Sequence, residues 1–293
     1  MSIESVAFRD ALQDVFGQLD WLPAADGDIH RFHVPGDKSG SQNGWYVLYA
    51  DGIASGAFGS WKAGTTATWC SREPADPCEA EQVRQRIAEA RAKREAQQLR
   101  QQKDAADKSR RWWRDARRAD PAHPYLVAKG VRPHSLRQRG DELLIPLYAD
   151  GELVNLQRIA PDGSKRFVFG ARVKGSYSPL GAFSPDRPLC ICEGWATGAT
   201  LHEDGGYTVA AGVNAGNLRS VATTLRRKYP SAQIIIAGDD DRLTDGNPGR
   251  AFANDAAAAA GALVTFPEWP PGAPETLTDF NDLAVWSKAN GAA

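Results

Sequence analysis

Two stretches decide the fold: Leu189-Cys190-Ile191-Cys192-Glu193 and Ile234-Ile235-Ile236-Ala237-Gly238-Asp239-Asp240-Asp241. Each is a short apolar run, the length of a buried strand, that ends in carboxylates. Parallel α/β sheets place their chemistry at the carboxyl ends of strands. Carboxylates gathered there repel one another by about 4 kcal/mol per pair at roughly 4 Å and an effective dielectric near 20. A divalent cation relieves that repulsion, and oxygen-only ligands favour Mg²⁺.

Working outward, residues 188–293 alternate strictly. The pattern predicts strands over 189–192, 208–211, 233–237 and 263–266. Helices are expected over 196–203, 218–228, 249–260 and 279–289, with Pro248 near the start of the third. Alternation of this kind means a parallel sheet with helices on both faces. Glu193 then leaves the first strand and Asp239-Asp240-Asp241 the third, facing one crevice. In an extended segment alternate side chains point the same way. Asp239 and Asp241 should therefore face the same way while Asp240 points elsewhere. A third patch, Asp279-Phe280-Asn281-Asp282, opens the last helix, where Asp279 is also a natural cap. Cys190 and Cys192 fall on one strand face, as two small buried residues would.

Upstream, residues 119–187 read as a basic β-rich subdomain. A helix break at Pro121 precedes a short helix from His123 that ends near Gly130, then strands over 143–147, 153–158 and 165–169. Arg158, Lys165, Arg166, Arg172 and Lys174 make this sheet a cradle for a nucleic-acid backbone or a triphosphate. Residues 79–118 form a long basic helix rich in Ala, Gln, Glu, Lys and Arg, without Gly or Pro. From 81 to 118 it carries 13 basic and 6 acidic residues, a weak hint of nucleic-acid contact. Arg110-Arg111-Trp112-Trp113-Arg114 can touch phosphates, or its tryptophans can dock on the next domain. Residues 1–78 read as a small aromatic-rich β domain with strands over 45–49 and 53–58. Its Trp45, Tyr46, Tyr49, Phe58, Trp61 and Trp69 suit either a sheet core or stacking on unpaired bases.

The whole chain has 293 residues, 42% hydrophobic and 24% charged, with a net charge of −1, which suits a soluble protein with a real core. No apolar run approaches the ~20 residues that span a membrane, and residues 1–10 hold no signal-type apolar core. A cytoplasmic protein without membrane contact is the default expectation. Four cysteines in a chain of this length do not suggest a disulfide scaffold. His30, His33, Cys70 and Cys78 match no zinc-ligand spacing, so no zinc site is expected. There is no G-x-x-x-x-G-K-[ST] phosphate loop, hence no helicase motif here.

Glu193-Gly194 after one strand and Asp239-x-Asp241 after another resemble the Toprim domain. The finer pattern is similar to the primases of plasmids and bacteriophages. It is carried by Glu193-Gly194-Trp195-Ala196-Thr197-Gly198, Ala237-Gly238-Asp239-Asp240-Asp241, Gly246-Asn247-Pro248-Gly249 and Asp279-Phe280-Asn281-Asp282-Leu283. The resemblance covers about the last 105 residues and extends more weakly upstream to about Asp120. It implies Glu193 as general base or acid, and Asp239 and Asp241 as ligands of Mg²⁺ (or Mn²⁺), completed by Asp279 and Asp282. It implies two metals roughly 3.5–4 Å apart, activating a 3′-hydroxyl and steadying pyrophosphate. Arg158, Lys165, Arg166 and Lys174 would bind nucleotide or DNA, and Arg250 would add charge at a helix N-terminus. The implied activity is primer synthesis on single-stranded DNA from nucleoside triphosphates, with a separate helicase or single-strand-binding protein as helper. A metal-dependent Toprim nuclease, or a non-catalytic DNA-binding replication adaptor, are the alternatives. The chain departs from bacterial primases in lacking a zinc ribbon, and a fragment or product of a larger replication or transfer protein is a further reading.

Overall fold

The computed structural model describes residues 3–291, which fall into two compact units, 1–100 and 101–293. The first unit contains α1 (Ile3–Phe16), β1 (His30–Phe32), β2 (Gly44–Tyr49), β3 (Ser55–Ser60) and β4 (Thr65–Cys70). The four strands form an antiparallel sheet in sequential order. Helix α1 opens a region expected to be β-rich, for which no helix is expected. Phe8 and Leu12, one turn apart, face the sheet and pack with Phe32, Tyr46, Leu48 and Phe58. The opposite face buries Trp45, Val47 and Ala57 against Ala90 of the long helix α2 (Pro77–Asp115). A sheet covered on both sides has β3 buried at every residue. Trp45, Tyr46 and Phe58 are therefore core: of the two uses open to these aromatics, packing rather than base stacking holds.

The second unit begins in the last turns of α2. It continues with β5 (Arg117–Arg118), α3 (Pro124–Lys129), β6 (Arg137–Arg139), β7 (Glu142–Ala149), β8 (Glu152–Ile159) and β9 (Lys165–Phe167). These strands form a sequential antiparallel meander. Asp150 and Gly151 join β7 to β8 with φ of 53° and 85°, the left-handed pair that a tight hairpin requires. Ala105 of α2 packs with Leu144, Leu153, Leu156 and Val168 on one face of this sheet, with Trp112 and Trp113 partly buried beside them. The two tryptophans are docked; Arg139 and Lys108 lie over the Trp112 ring at 4.7 and 4.6 Å.

Next come β10 (Ser178–Leu180), β11 (Leu189–Cys192), α4 (Trp195–Gly205), β12 (Thr208–Ala211), α5 (Leu218–Lys228), β13 (Ile234–Ala237), α6 (Pro248–Ala260), β14 (Leu263–Thr265) and α7 (Phe280–Asn290). The strand order is β10-β12-β11-β13-β14. The last four strands in the chain are mutually parallel, as the alternation requires. The sheet is nevertheless mixed: β10 adds to its edge antiparallel to β12. The period-2 rule sorts the two faces. Leu189, Ile191, Ile234 and Ile236 pack under α5 and α6. Cys190, Cys192 and Ala237 face the other way, toward α4 and the Leu143, Ile145, Leu147 and Ile159 side of the meander. That shared core sets the basic strands beside the carboxyl ends of β11 and β13.

Candidate active site

Glu193 follows β11 directly. Its backbone carbonyl accepts from Val213 N at 2.7 Å, and Gly212 N donates to Cys192 O at 2.8 Å, so the turn after β12 is laced to the end of β11. Val213 sits at φ 64°, which for a β-branched residue costs on the order of 1–3 kcal/mol. This strained turn brings the Ala215 backbone N–H to the Glu193 carboxylate. Burial nevertheless raises the Glu193 pKa above the usual glutamate value, with the nearby Asp241 charge adding to the effect. Lys165 opposes it, so the basic strand β9 reaches this carboxylate electrostatically.

Asp239, Asp240 and Asp241 follow β13 and diverge in role. Asp239 is pushed up to about 8, first by burial and then by the charges of Glu193, Asp279, Asp241 and Asp282. Its Oδ1 is buried with no hydrogen-bond partner. Asp240 does point away. It accepts from Arg250 Nε at 2.6 Å, Asn247 Nδ2 at 2.7 Å and Trp269 Nε1 at 3.0 Å, and the Arg250 guanidinium foremost holds it down at about 2. Asp241 Oδ2 accepts the Gly249 N–H at 2.8 Å, and its own N–H donates to Asn247 Oδ1 at 2.9 Å. Asn247, left-handed at φ 43°, thus caps α6 and grips the acidic loop together. Gly249 is required for the close approach: a Cβ there would lie 2.6 Å from the Asp239 carbonyl oxygen and 2.9 Å from Asp241 Oδ2.

Asp279 caps α7 by accepting from Asp282 N at 2.8 Å. Asp282 binds Lys129 Nζ at 3.0 Å and accepts from Thr278 N at 3.2 Å. Asn281, buried between them, donates to Lys129 O at 2.7 Å and to Thr200 Oγ1 at 2.9 Å. These bonds tie α7 to α3 and α4. Lys129 and Asn281 escaped sequence reading, although Asn281 lies inside the quoted patch and Lys129 precedes the Gly130 helix stop. Asn217 and Trp269 also escaped it.

Among the expected binding cations, Lys165, Arg166 and Lys174 are exposed. Arg158 is partly buried and pairs with Glu142 at 3.2 Å. Arg250 is engaged by Asp240 and lies 4.3 Å from the Phe266 ring centroid. The structure therefore brings Glu193, Asp239, Asp241, Asp279 and Asp282 into one electrostatic group, with Lys165 at its margin. Among the described residues no group of three or more His, Cys, Asp or Glu side chains is arranged to hold a metal ion.

An acidic group gathered from the carboxyl ends of parallel strands and the start of α7, beside a basic antiparallel sheet, is the arrangement that the Toprim resemblance implies. Residues 188–289 match the family model described as "Toprim domain". Over 262 residues the chain is 36% identical to the DNA primase TraC of Escherichia coli, covering 85% of this chain and 25% of that protein. A second Escherichia coli DNA primase TraC matches at 36% over 261 residues, covering 85% of this chain and 18% of that one. The chain thus spans about a quarter or less of the length of these curated relatives. The primase fragment of the bacteriophage T7 primase-helicase protein aligns with a TM-score of 0.42 and 16% identity, over 61% of this chain and 76% of that chain. Residues 188–289 are thus similar to the Toprim domain, and most of the chain is similar in sequence to part of these DNA primases. Among the described residues, no helix is long and apolar enough to cross a membrane.

Proposed function

We propose that this chain carries out primer synthesis: metal-dependent nucleotidyl transfer from nucleoside triphosphates on a single-stranded DNA template, in plasmid or phage replication. One observation carries the reading. Asp239 is a carboxyl held up at about 8 by burial and then by four neighbouring acids, with an oxygen that has no hydrogen-bond partner. That oxygen and the all-carboxylate set fit a hard divalent cation, Mg²⁺ or Mn²⁺. Mg²⁺ is commonly held by one or two carboxylates plus substrate phosphates and water, so a closed protein cage is not needed.

Asp239 and Asp241 would hold the ion, with Asp279 and Asp282 completing the set directly or through water. When bound, such ions supply charge neutralisation and lower the pKa of an attacking hydroxyl. The chain's own residues do the rest. Glu193, kept basic enough by burial, takes the proton from the 3′-hydroxyl as general base. Lys165, Arg166 and Lys174 grip the triphosphate or the template. Asp240, neutralised by Arg250, holds the loop rigid. A helicase or a single-strand-binding protein would open the template. The relatives' name, DNA primase, supports this reading for their whole length, of which this chain matches a part.

Incorporation of labelled ribonucleotides over a panel of single-stranded templates, run beside a nicking assay on a labelled strand, tests it. Primer-length products without nicking are expected. Nicking alone would replace the reading with a nuclease. Binding to DNA with neither activity would leave the adaptor.

A further inference from the structure

The basic segment that would hold the triphosphate and the turn that holds Glu193 come from different parts of the chain, and one buried side chain joins them. Asn217 is 3% exposed. Its Oδ1 accepts from Gly175 N at 2.7 Å, and its Nδ2 donates to Ser176 O at 2.8 Å and to Gly212 O at 2.9 Å. Both amide hydrogens and the carbonyl are used, and two of the three bonds span more than forty residues. Gly175 and Ser176 directly follow Lys174, whose carbonyl also accepts from Arg172 Nε at 3.0 Å. Gly212 opens the strained turn whose Val213 N–H binds the Glu193 carbonyl.

We propose that Asn217 is a positioning residue that fixes the Arg172–Lys174 segment against the Glu193 turn, so that phosphates held by Lys174 arrive at the acids; this rests on the triphosphate-binding role given above to Lys174. The amide is suited to the task because one group must donate twice and accept once in a dry site. A carboxylate in its place would face two carbonyl oxygens with no proton to give. A shorter side chain would leave three backbone groups unpaired and the segment free to shift. Nothing in Asn217 touches the reacting atoms; its effect is routed through Lys174 and Glu193.

The test is a double-mutant cycle on the full chain. Equilibrium binding of ATP with Mg²⁺ is measured for wild type, Lys174→Ala, Asn217→Ala and the double variant, with thermal melts alongside. Each single change is expected to weaken binding roughly 10-fold, and the double change no more than either alone, because Lys174 is already misplaced once Asn217 is gone. Asn217→Ser, which keeps one hydrogen-bonding group, should recover part of the affinity. Fully additive losses near 100-fold, or an Asn217→Ala variant that melts lower yet binds ATP as wild type does, would reduce Asn217 to a structural bond and overturn the inference. Wild type that binds no ATP would instead sink the triphosphate reading of Lys174, and this inference with it.

Discussion

At the scale of single residues, the proposed chemistry turns on two adjacent aspartates whose proton affinities are shifted in opposite directions. Asp239 has burial and four like charges around it; Asp240 has a guanidinium, an amide and an indole N–H. Glu193→Gln and Asp239→Asn should each reduce nucleotide incorporation by roughly 10²–10³-fold, on the scale typical of lost electrostatic stabilisation. Asp239→Asn should at the same time raise the Tm at pH 8, by roughly 2–4 °C for each kcal/mol of repulsion relieved. Differential scanning calorimetry on metal-free protein checks this.

The pH dependence of stability follows from the same pair. Asp239 rises from 3.8 to about 8 on folding, so its contribution is full below about pH 4 and is lost as pH climbs through 8. Asp240 falls from 3.8 to about 2, so its contribution is present above about pH 4 and is lost as pH drops through 2. Between pH 5 and 8.5 only the first changes. The metal-free chain should therefore lose stability over that range, and millimolar Mg²⁺ should raise the Tm more at pH 8 than at pH 5.5. Equal shifts at both values would remove the cation from this site.

At the scale of elements, the N-terminus of α6 is built around the acidic loop rather than merely placed near it. Gly249→Ala drives a methyl to 2.6 Å from a backbone oxygen that cannot swing away. It should cost about 1–3 kcal/mol in denaturant unfolding and lower incorporation more than 10-fold. Arg250→Ala leaves Asp240, 5% exposed at its side chain, with two neutral donors in place of three partners. A loss of about 1–3 kcal/mol is expected with little change in the KM for nucleotide. A large rise in KM would restore Arg250 to the ligand-binding set. Element identity was highly legible here. Strands 189–192 and 208–211 and helix 218–228 follow from hydrophobic period alone, since Leu218, Val221, Ala222 and Leu225 fall on one buried stripe. Helix α1 was not legible: its fully buried apolar residues, Phe8 and Leu12, are too few to outweigh polar neighbours and a strongly β-like sequel.

At the scale of the whole molecule, the proposed binding cations would supply a salt-sensitive grip. Replacing Lys165, Arg166 and Lys174 together by Ala should cut the slope of log affinity against log salt for single-stranded DNA by about 2, at about 0.7 per phosphate contact. Fluorescence anisotropy across 50–300 mM salt checks it, and an unchanged slope would move the template elsewhere. The sequence alone determined the parallel strands, the helices between them and the delivery of Glu193 and the Asp239–Asp241 loop to one edge. Those depend on local periodicity and on the strand direction that alternation forces. Only the tertiary structure decided that β10 closes the sheet antiparallel, that Arg250 pairs with Asp240 while Trp269 donates to it, that Lys129 reaches Asp282, and that Asn217 bridges two segments. Each of these is a contact between residues far apart in the chain, made by a single polar group or a short edge strand. Such contacts leave no period in the sequence, because their partners are set by packing rather than by neighbours.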